Sequence, residues 1–386
     1  MPFKIAHIHT DLKFIDESAI FEGPDFENDV IILEEKGGYK GRYQESAKYL
    51  TPSHANINQL INQCSQADMV VLYNLCFLKS FIANRLPQHV KIAWRFFGHE
   101  LYRFDLTEQH SDLTKSMLAP DRASLSDGLK HLKNYIPVLR SLRNLVEFRA
   151  VYDVEFRKAI KRADLFLWHF QEEYESLKKR WRDLPVFMNL PTLNLPTLNH
   201  NPQNNNPREK ENLIILGHSK NALNNHFDIL KKISPNKNFS KYVFNVPFSY
   251  DSETYYSKRF REEVKNYKNI NLYETFLSLN DYESVFKKAS ALVINIYRQK
   301  ALGSILLALK NGVKVYLNPR NITLSILASR ELLVYSVDQL VDDLENGDIR
   351  MQPEDVAHNM TVMDWLRQEN SIALFQQRIH DEINKV

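Results

Sequence analysis

The sequence predicts an α/β protein built from two Rossmann-like domains that face a central cleft. Three observations predict this class. Short apolar runs recur along the chain, and most do not alternate with polar residues, which is typical of strands buried on both faces of a parallel sheet. Helical patterns lie between these runs, as in βαβ units. A segment rich in proline and asparagine, residues 191–212, divides the runs into two sets.

The apolar runs define the predicted strands and domains. The first set comprises residues 3–8, 30–33, 69–75, 90–97, 164–170 and 186–190. The second set comprises residues 213–216, 242–246, 270–273, 291–297, 313–317 and 332–336. We therefore expect an N-terminal domain over residues 1–190, a linker over 191–212 and a C-terminal domain over 213–352. Residues 353–386 show helical patterns only, and we expect these helices to pack back on the N-terminal domain.

Composition excludes several classes of protein. The 386 residues carry 50 basic and 47 acidic side chains, and a net charge of +3 with no reading-helix motif argues against nucleic acid binding. The two cysteines, Cys64 and Cys76, predict reduced thiols rather than a disulfide framework or a metal site. We expect a cytoplasmic protein, because the N-terminus lacks a signal-peptide core and no apolar run approaches about 20 residues.

One segment favours contact with a membrane surface. Residues 127–162 contain nine basic and four acidic side chains, interleaved with apolar residues at helical spacing. A basic amphipathic helix can lie on an anionic membrane, here the inner face of the cytoplasmic membrane. The alternative is a surface helix that packs its apolar face on the sheet.

The junction after the run Leu213–Leu216 is a candidate anion site. The run leads into Gly217, then Ser219 and Asn221, and a helical pattern begins near Asn224, Asn225 and His226. The free N–H groups and the dipole at a helix start attract anions, and glycine allows close approach of a ligand. The alternative is a plain strand–turn–helix junction capped by asparagine. No glycine fingerprint for NAD is present.

A second junction strengthens the prediction of a phosphate site. Arg298, Gln299 and Lys300 follow the run 291–297, and a helical pattern begins near Gly303 and Ser304. An arginine fork can bond two phosphate oxygens. Two anion sites on one sheet edge suit a diphosphate better than a single helix cap. The alternative is a pair of solvated charges at a strand end.

Candidate proton acceptors follow strands of the first domain. Gly98, His99, Glu100 and Tyr102 come after the run 90–97, while His7, His9 and Asp11 end the first strand. Carboxylates and imidazoles at this edge can act as general bases. Glu100 is our first candidate, with His9 and Asp11 behind it.

These three stretches together resemble glycosyltransferase family 56, of the GT-B architecture. Gly217, Ser219, Asn224 or Asn225, and His226 match one family motif; Arg298, Gln299, Gly303 and Ser304 match a second; Trp94, Gly98, Glu100, Leu101 and Tyr102 match a third. The resemblance runs in order over roughly residues 90–335. The family's named activity transfers Fuc4NAc from its TDP-linked form to an undecaprenyl-linked disaccharide.

The resemblance implies a glycosyltransferase that uses a nucleotide diphosphate sugar to build a bacterial surface polysaccharide. The donor would contact Gly217, Ser219, Asn221, Asn224, Asn225, His226, Arg298, Gln299, Gly303 and Ser304. The acceptor, a lipid-linked or other saccharide, would lie near Gly98, His99 and Tyr102. We expect no metal, since Asp342 and Asp343 fit the solvated face of a helix.

Two other functions are compatible with the predicted fold. A nucleotide-sugar epimerase would interconvert sugars without an acceptor. A non-catalytic nucleotide- or polysaccharide-binding protein would bind a nucleotide without transfer. Fold resemblance alone does not separate these functions.

Overall fold

A computed structural model describes residues 1–33, 43, 45–118, 144–191, 210–275, 277–369 and 371–385. The chain forms two compact units, each around its own sheet. The described residues of unit 1 lie within 1–101, 144–191 and 371–385, and those of unit 2 within 102–118 and 210–369. The predicted linear boundaries at 190 and 213 differ from this division, because residues 102–118 pack with unit 2 and residues 371–385 with unit 1.

Unit 1 contains a parallel sheet of seven strands in the order β3-β2-β1-β4-β5-β6-β7. The strands are β1 (Phe3–His9), β2 (Phe26–Leu33), β3 (Lys48–Leu50), β4 (Met69–Tyr73), β5 (Lys91–Arg95), β6 (Leu165–Trp168) and β7 (Val186–Asn189). The helices are a 3-10 helix (Leu12–Phe21), α1 (His54–Cys64), α2 (Phe77–Ala83), α3 (His99–Tyr102), α5 (Tyr152–Arg162), α6 (Gln171–Arg180) and α14 (Ile372–Asn384).

Unit 2 contains a parallel sheet of six strands in the order β10-β9-β8-β11-β12-β13. The strands are β8 (Leu213–Leu216), β9 (Val243–Pro247), β10 (Ile270–Tyr273), β11 (Ala291–Ile294), β12 (Lys314–Leu317) and β13 (Tyr335–Ser336). Short 3-10 helices cover Arg103–Glu108, Ala222–Asn224 and Phe239–Lys241. The α-helices are α4 (Asp112–Leu118), α7 (His226–Ile233), α8 (Tyr255–Val264), α9 (Leu279–Lys288), α10 (Leu302–Lys310), α11 (Ile322–Ser329), α12 (Gln339–Asn346) and α13 (Pro353–Glu369).

The buried strands explain why the apolar runs do not alternate. In β8, Ile214 and Leu216 pack into the core on one face of the sheet, while Leu213 and Ile215 pack into the core on the other. A strand covered on both faces needs apolar side chains at every position. Each of the twelve predicted runs overlaps a strand. The seventh strand of unit 1, β3, is a short edge strand with no buried side chain, which the apolar pattern missed.

Both sheets have a topological switch point, where successive connections turn in opposite directions. In unit 1 it lies between β1 and β4, and in unit 2 between β8 and β11. Ligands of open parallel sheets bind beyond the carboxyl ends of the strands at such points. The two junctions singled out in the C-terminal half, after β8 and after β11, therefore leave neighbouring strands at the switch point of unit 2.

Three further sequence predictions concern segments around the units. Most of the predicted linker lies outside the described residues, but Lys210 donates hydrogen bonds to the carbonyls of Phe286 and Lys287, which ties the end of the segment to α9. In the C-terminal region α14 contacts unit 1, where Gln376 donates to the carbonyls of Ile20 and Glu22. The other C-terminal helix, α13, belongs to unit 2. Among the described residues, no helix is long and apolar enough to cross a membrane.

Candidate functional site

The loop after β8 is built around the side chain of Asn224, which is buried. Its amide oxygen accepts hydrogen bonds from the backbone N–H of His218 at 3.2 Å and from the ring Nδ1 of His218 at 3.0 Å. Its NH2 group donates to the carbonyls of Ser219 and Asn221 and lies 3.3 Å from Ser219 Oγ. Asn221 in turn caps the short 3-10 helix by accepting from Leu223 N–H. These polar residues therefore hold the loop together from within.

Gly217 is required by this loop for two reasons. Its backbone has a φ of +75°, which side-chain-bearing residues rarely adopt. A Cβ placed there would lie 2.6 Å from Nε2 of His226 and 3.0 Å from Oδ1 of Asn224. The imidazole thus packs directly against the backbone of Gly217. Burial lowers the pKa of His226 to about 3, so the ring is neutral at physiological pH.

The polar groups at the start of α7 already form hydrogen bonds within the protein. The hydroxyl of Tyr256 accepts from the backbone N–H of His226 at 2.7 Å. Asn225, at a φ of 46°, precedes the helix, and its Oδ1 accepts from Ser111 N–H at 3.0 Å. Ser111 Oγ also donates to Asp228 at 2.6 Å. Residues 213–230 allowed two interpretations, an anion site or a plain strand–turn–helix junction. The described contacts fit the junction, because the polar groups at this helix start bond other groups of the protein.

The end of β11 brings Arg298 to the switch point. Arg298 is 8% exposed, and its Nε donates to the side chain of Gln109 at 3.1 Å. Its Nη1 donates to the carbonyl of Gln299 at 3.2 Å, and its guanidinium lies 5.1 Å from the ring centre of Tyr102. Tyr102, predicted on the acceptor side, thus lies beside Arg298 in unit 2. The described contacts hold Arg298 in place rather than leave it as a solvated strand-end charge.

The start of α10, directly after Arg298, differs from the start of α7. The first helical hydrogen bond runs from Ile305 N–H to Ala301 O, so the amides of Leu302, Gly303 and Ser304 precede the helical ladder. Ala301 has a φ of +65° and supplies no side-chain cap. A Cβ added at Gly303 would meet nothing within 4 Å. Gly303 is exposed, so this helix start is open to solvent there, and Ser304 Oγ contacts the Tyr282 hydroxyl at 3.0 Å.

In unit 1, the predicted base Glu100 is fully buried and bonded. Its Oε1 accepts from the N–H groups of Leu75 at 3.3 Å and Phe97 at 3.2 Å, and from Trp94 Nε1 at 3.3 Å. The exposed ring of His99 lies 3.4 Å from its Oε2. Gly98 precedes this pair with a φ of +91°. These contacts are those of a carboxylate that ties the ends of β4 and β5 together.

The other two candidate bases lie at the carboxyl end of β1, at the switch point of unit 1: His9 is its last residue, and Asp11 follows it. His9 is buried, stacks on Tyr73 with ring centres 3.7 Å apart, and bonds Ser18 Oγ through Nε2 at 2.9 Å, while its Nδ1 has no partner among the described residues. Burial, and the nearby His7 and Lys79, lower the pKa of His9 well below its usual value. Asp11 is half-buried. It is the only one of the three candidate bases that retains solvent exposure.

Lys79 is a residue at this switch point that the sequence reasoning missed. It is fully buried in α2, and its ammonium group donates to Thr10 Oγ1 at 2.9 Å, to Asn74 Oδ1 at 3.1 Å and to the carbonyl of Tyr73. Burial lowers its pKa to about 8. The signal was available, since a single lysine interrupts the apolar stretch around it. Lys79 links the strand ends of β1 and β4.

Solved structures of similar fold match nearly the full length of the chain. WaaG, a glycosyltransferase involved in lipopolysaccharide biosynthesis, aligns with a TM-score of 0.60 and 13% identity over 99% of this chain and 100% of its own. Anabaena HepE, in complex with UDP-glucose, aligns with a TM-score of 0.61 and 9% identity over 100% of both chains. Sucrose-phosphate synthase from Thermosynechococcus elongatus aligns with a TM-score of 0.57 and 12% identity over 99% of both.

The chain has the GT-B fold. The α/β class and the two Rossmann-like units predicted from the sequence are thereby confirmed. No protein-family model and no curated protein sequence matches the chain. At identities near 10% the likeness carries the fold and not the substrate.

Within the GT-B fold of this chain, only one of the two acidic residues predicted on the solvated face of a helix is exposed. Asp342 is exposed, but Asp343 accepts from the Tyr316 hydroxyl at 2.6 Å and pairs with Lys314 at 2.9 Å. The prediction was wrong for Asp343, because α12 packs against the start of β12. Within the described ranges, no three His, Cys, Asp or Glu side chains come together as a metal-binding group.

Proposed function

We propose that this protein is a glycosyltransferase that moves a sugar from a nucleoside diphosphate donor to a hydroxyl group of an acceptor. The observation that carries the proposal is the open start of α10 at the switch point of unit 2, next to the held guanidinium of Arg298. Amides at a helix start and a planar guanidinium are the groups that bind phosphate oxygens. The GT-B fold supports the same class.

Sugar transfer releases a nucleoside diphosphate, so negative charge develops on the diphosphate as the glycosidic bond breaks. The amides of Leu302, Gly303 and Ser304 and the dipole of α10 would stabilise that charge at one end, and Arg298 at the other. A single donor of this kind is typically worth about 3 kcal/mol of transition-state stabilisation. These fixed groups can neutralise the leaving group, and we therefore propose a metal-independent transfer. The loop built by Gly217, Asn224 and His226 would support the neighbouring wall of the site.

The substrate class follows from two supports. HepE was solved with UDP-glucose and with UDP and glucose, and an α-glucosyltransferase of similar fold was solved with UDP, which favours a nucleotide-sugar donor here. The resemblance to glycosyltransferase family 56 favours an N-acetylated deoxysugar donor and a polyprenyl-linked saccharide acceptor in bacterial surface polysaccharide synthesis. WaaG, a glycosyltransferase of lipopolysaccharide biosynthesis, agrees with that setting.

Unit 1 would bind the acceptor, with a base at the end of β1. A base removes the proton of the attacking hydroxyl if the transfer inverts the anomeric centre. We place this role on Asp11, because Glu100 and His9 are fully buried while Asp11 retains exposure. Glu100 and Lys79 would then fix the strand ends that carry it.

A membrane surface would hold the protein close to a lipid-linked acceptor. Residues 127–143 of the predicted basic helix lie outside the described residues. Helix α5 follows the packing alternative, since Phe156, Ala159 and Ile160 are buried and Glu155 bonds Asn84. Exposed apolar side chains lie at and before the start of α5: Leu145 and Val146 in the helical segment 144–148, Val151 directly before α5, and Val154 within it. Val146 is 81% exposed. Exposed apolar side chains beside Arg149, Arg157 and Lys158 suit an anionic membrane.

Nucleotide binding tests the proposal. We would measure the melting temperature and the dissociation constant with TDP, UDP, GDP, ADP and CMP, with and without Mg²⁺. We expect one nucleoside diphosphate to bind without metal, and Arg298→Ala to weaken it by about tenfold or more. Binding of none of them would overturn the proposal.

A pair of variants at Gly303 separates a phosphate site from an ordinary helix end. Gly303→Asp places a carboxylate near the helix start, where it favours the helix dipole but repels a diphosphate. We expect this variant to be at least as stable as wild type and to lose diphosphate binding. Gly303→Ala adds only a methyl group in open space and should be more stable while retaining binding. Equal binding by both variants would place the donor elsewhere.

Flotation with vesicles tests the membrane part. We expect the protein to float with vesicles containing phosphatidylglycerol and not with pure phosphatidylcholine, and Val146→Asp to abolish flotation without changing nucleotide binding. Flotation that is independent of anionic lipid, or unaffected by Val146→Asp, would remove this surface from the proposal.

A further inference from the structure

Gln109 occupies a buried position between Arg298 and the chain that precedes α4. It is 5% exposed. Its side-chain oxygen accepts from Arg298 Nε at 3.1 Å, and its NH2 group donates to the carbonyl of Tyr102. Both ends of this amide are therefore engaged, and the ring of Tyr102 lies against the same guanidinium.

The backbone around Gln109 is anchored at several points of the switch-point edge. Asn225 Nδ2 lies 3.4 Å from the carbonyl of Gln109, and Ser111 N–H donates to Asn225 Oδ1 at 3.0 Å. Arg320, after β12, donates to the carbonyl of Glu108 at 2.9 Å. The segment 108–111 is thus fixed to the loops after β8 and β12, and through Gln109 to the loop after β11.

We propose that Gln109 is the positioning residue that orients Arg298 toward the diphosphate of the donor, an inference that rests on the proposed function. An arginine side chain has several rotatable bonds, and their ordering on binding costs affinity. The amide of Gln109 fixes Nε, while the ring of Tyr102 fixes the plane of the guanidinium. The side chain of Arg298 is therefore already ordered in the folded protein, before any ligand binds.

The neutrality of this amide is as important as its shape. A carboxylate at the same place would accept the same Nε–H bond but would pair with the guanidinium as an ion pair in a buried setting. That added negative charge would oppose the approach of a diphosphate. A glutamine accepts the Nε–H bond without adding a negative charge beside the guanidinium, which suits a residue that must attract phosphate.

Two substitutions separate these effects. Gln109→Glu preserves the shape and adds a competing negative charge, and Gln109→Leu removes both hydrogen bonds with little change in volume. The readout is the ratio of the dissociation constants of the nucleoside diphosphate found to bind wild type and of its parent nucleoside. Inorganic pyrophosphate is the second probe. The unfolding midpoint of each variant in urea is measured in parallel.

We expect Gln109→Glu to weaken the diphosphate and pyrophosphate by about tenfold or more, Gln109→Leu to weaken them less, and neither to change nucleoside binding. A matched control is Gln376→Glu in unit 1, where the same exchange replaces an amide that bonds two carbonyls. That variant should alter stability only.

The outcomes are distinguishable. If both Gln109 variants lower nucleoside and diphosphate affinity together, or only shift the unfolding midpoint, Gln109 has a structural role and the inference is wrong. If Arg298→Ala weakens the diphosphate while Gln109→Glu binds it as wild type does, the inference fails and the proposed function stands. If wild type binds neither a nucleoside diphosphate nor pyrophosphate, the proposed function fails first.

Discussion

Replacement of Gly217 by alanine tests the packing of the loop after β8. The added Cβ would lie 2.6 Å from Nε2 of the buried His226 ring and 3.0 Å from Oδ1 of Asn224. Neither neighbour can move away easily. The other ring nitrogen of His226 lies 3.2 Å from the Tyr256 hydroxyl, and the ring stacks on Phe260. The side chain of Asn224 is fixed by the bonds that shape the loop.

The expected loss of stability has two main parts. A residue with a Cβ at a φ of +75° costs about 1–2 kcal/mol relative to glycine. Forcing a methyl group against a packed ring costs about 1–3 kcal/mol more. Alanine restricts the unfolded chain, which offsets about 0.4–1 kcal/mol. We therefore expect Gly217→Ala to lower the free energy of unfolding by about 1–5 kcal/mol.

Urea unfolding followed by circular dichroism measures this loss, and Gly303→Ala is the matched control in the same unit. Gly303 lies in the first turn of α10 in open space, so alanine should raise stability there by about 0.5–1 kcal/mol. The two substitutions are chemically identical and should have opposite signs. A loss below about 1 kcal/mol for Gly217→Ala would refute the contact between this glycine and the His226 ring.

Three other perturbations should change stability or turnover with a sign that follows from the structure. Burial lowers the pKa of His7 to about 4 and of His169 and His226 to about 3, against 6.5 when unfolded, so unfolded histidines bind protons first as the pH falls. Stability should therefore drop between pH 6.5 and 4, by about 2 kcal/mol per histidine at pH 5, and an unchanged urea midpoint between pH 7 and 5 would contradict this. The pKa of Lys79 is about 8 in the folded protein against 10.5 when unfolded, so the wild type should gain stability as the pH rises from 8 to 10.5. Lys79→Met should not show this gain. Urea unfolding of both proteins at pH 8 and at pH 10.5 measures the difference. In an acceptor assay, Asp11→Asn should lower turnover by about 100-fold or more while Glu100→Gln mainly lowers stability, and the opposite result would return the base to Glu100.

The strand pattern could be predicted from sequence because it reflects local burial. Runs such as Leu213–Leu216 are apolar at every position, which only a strand between two cores requires. The edge strand Lys48–Leu50 has no buried side chain and left no comparable signal. The division into units was also less regular than the composition suggested, because the short segment 102–118 leaves no compositional trace of the sheet on which it packs.

Polar residues at strand ends were visible in the sequence, but their use was not. Asn224, Asn225 and His226 have the residue types of a phosphate loop. The side chain of Asn224, however, bonds His218, Ser219 and Asn221 within the loop, that of Asn225 bonds Ser111, and the ring of His226 bonds Tyr256. The start of α10 carries fewer polar side chains and is the open one. Whether an amide is satisfied depends on groups far away in the chain, so local sequence cannot decide it.

The sequence by itself determined the α/β class, the buried strands and the presence of polar residues where strands end, since each of these depends on neighbouring residues and on burial. Tertiary structure alone decided that the loops after β8 and β11 leave adjacent strands, that one helix start is closed and the other open, and that Gln109 holds Arg298. Gln109 and Arg298 are 189 residues apart along the chain. A hydrogen bond between such residues is set by the folding of the whole unit, and no local pattern encodes it.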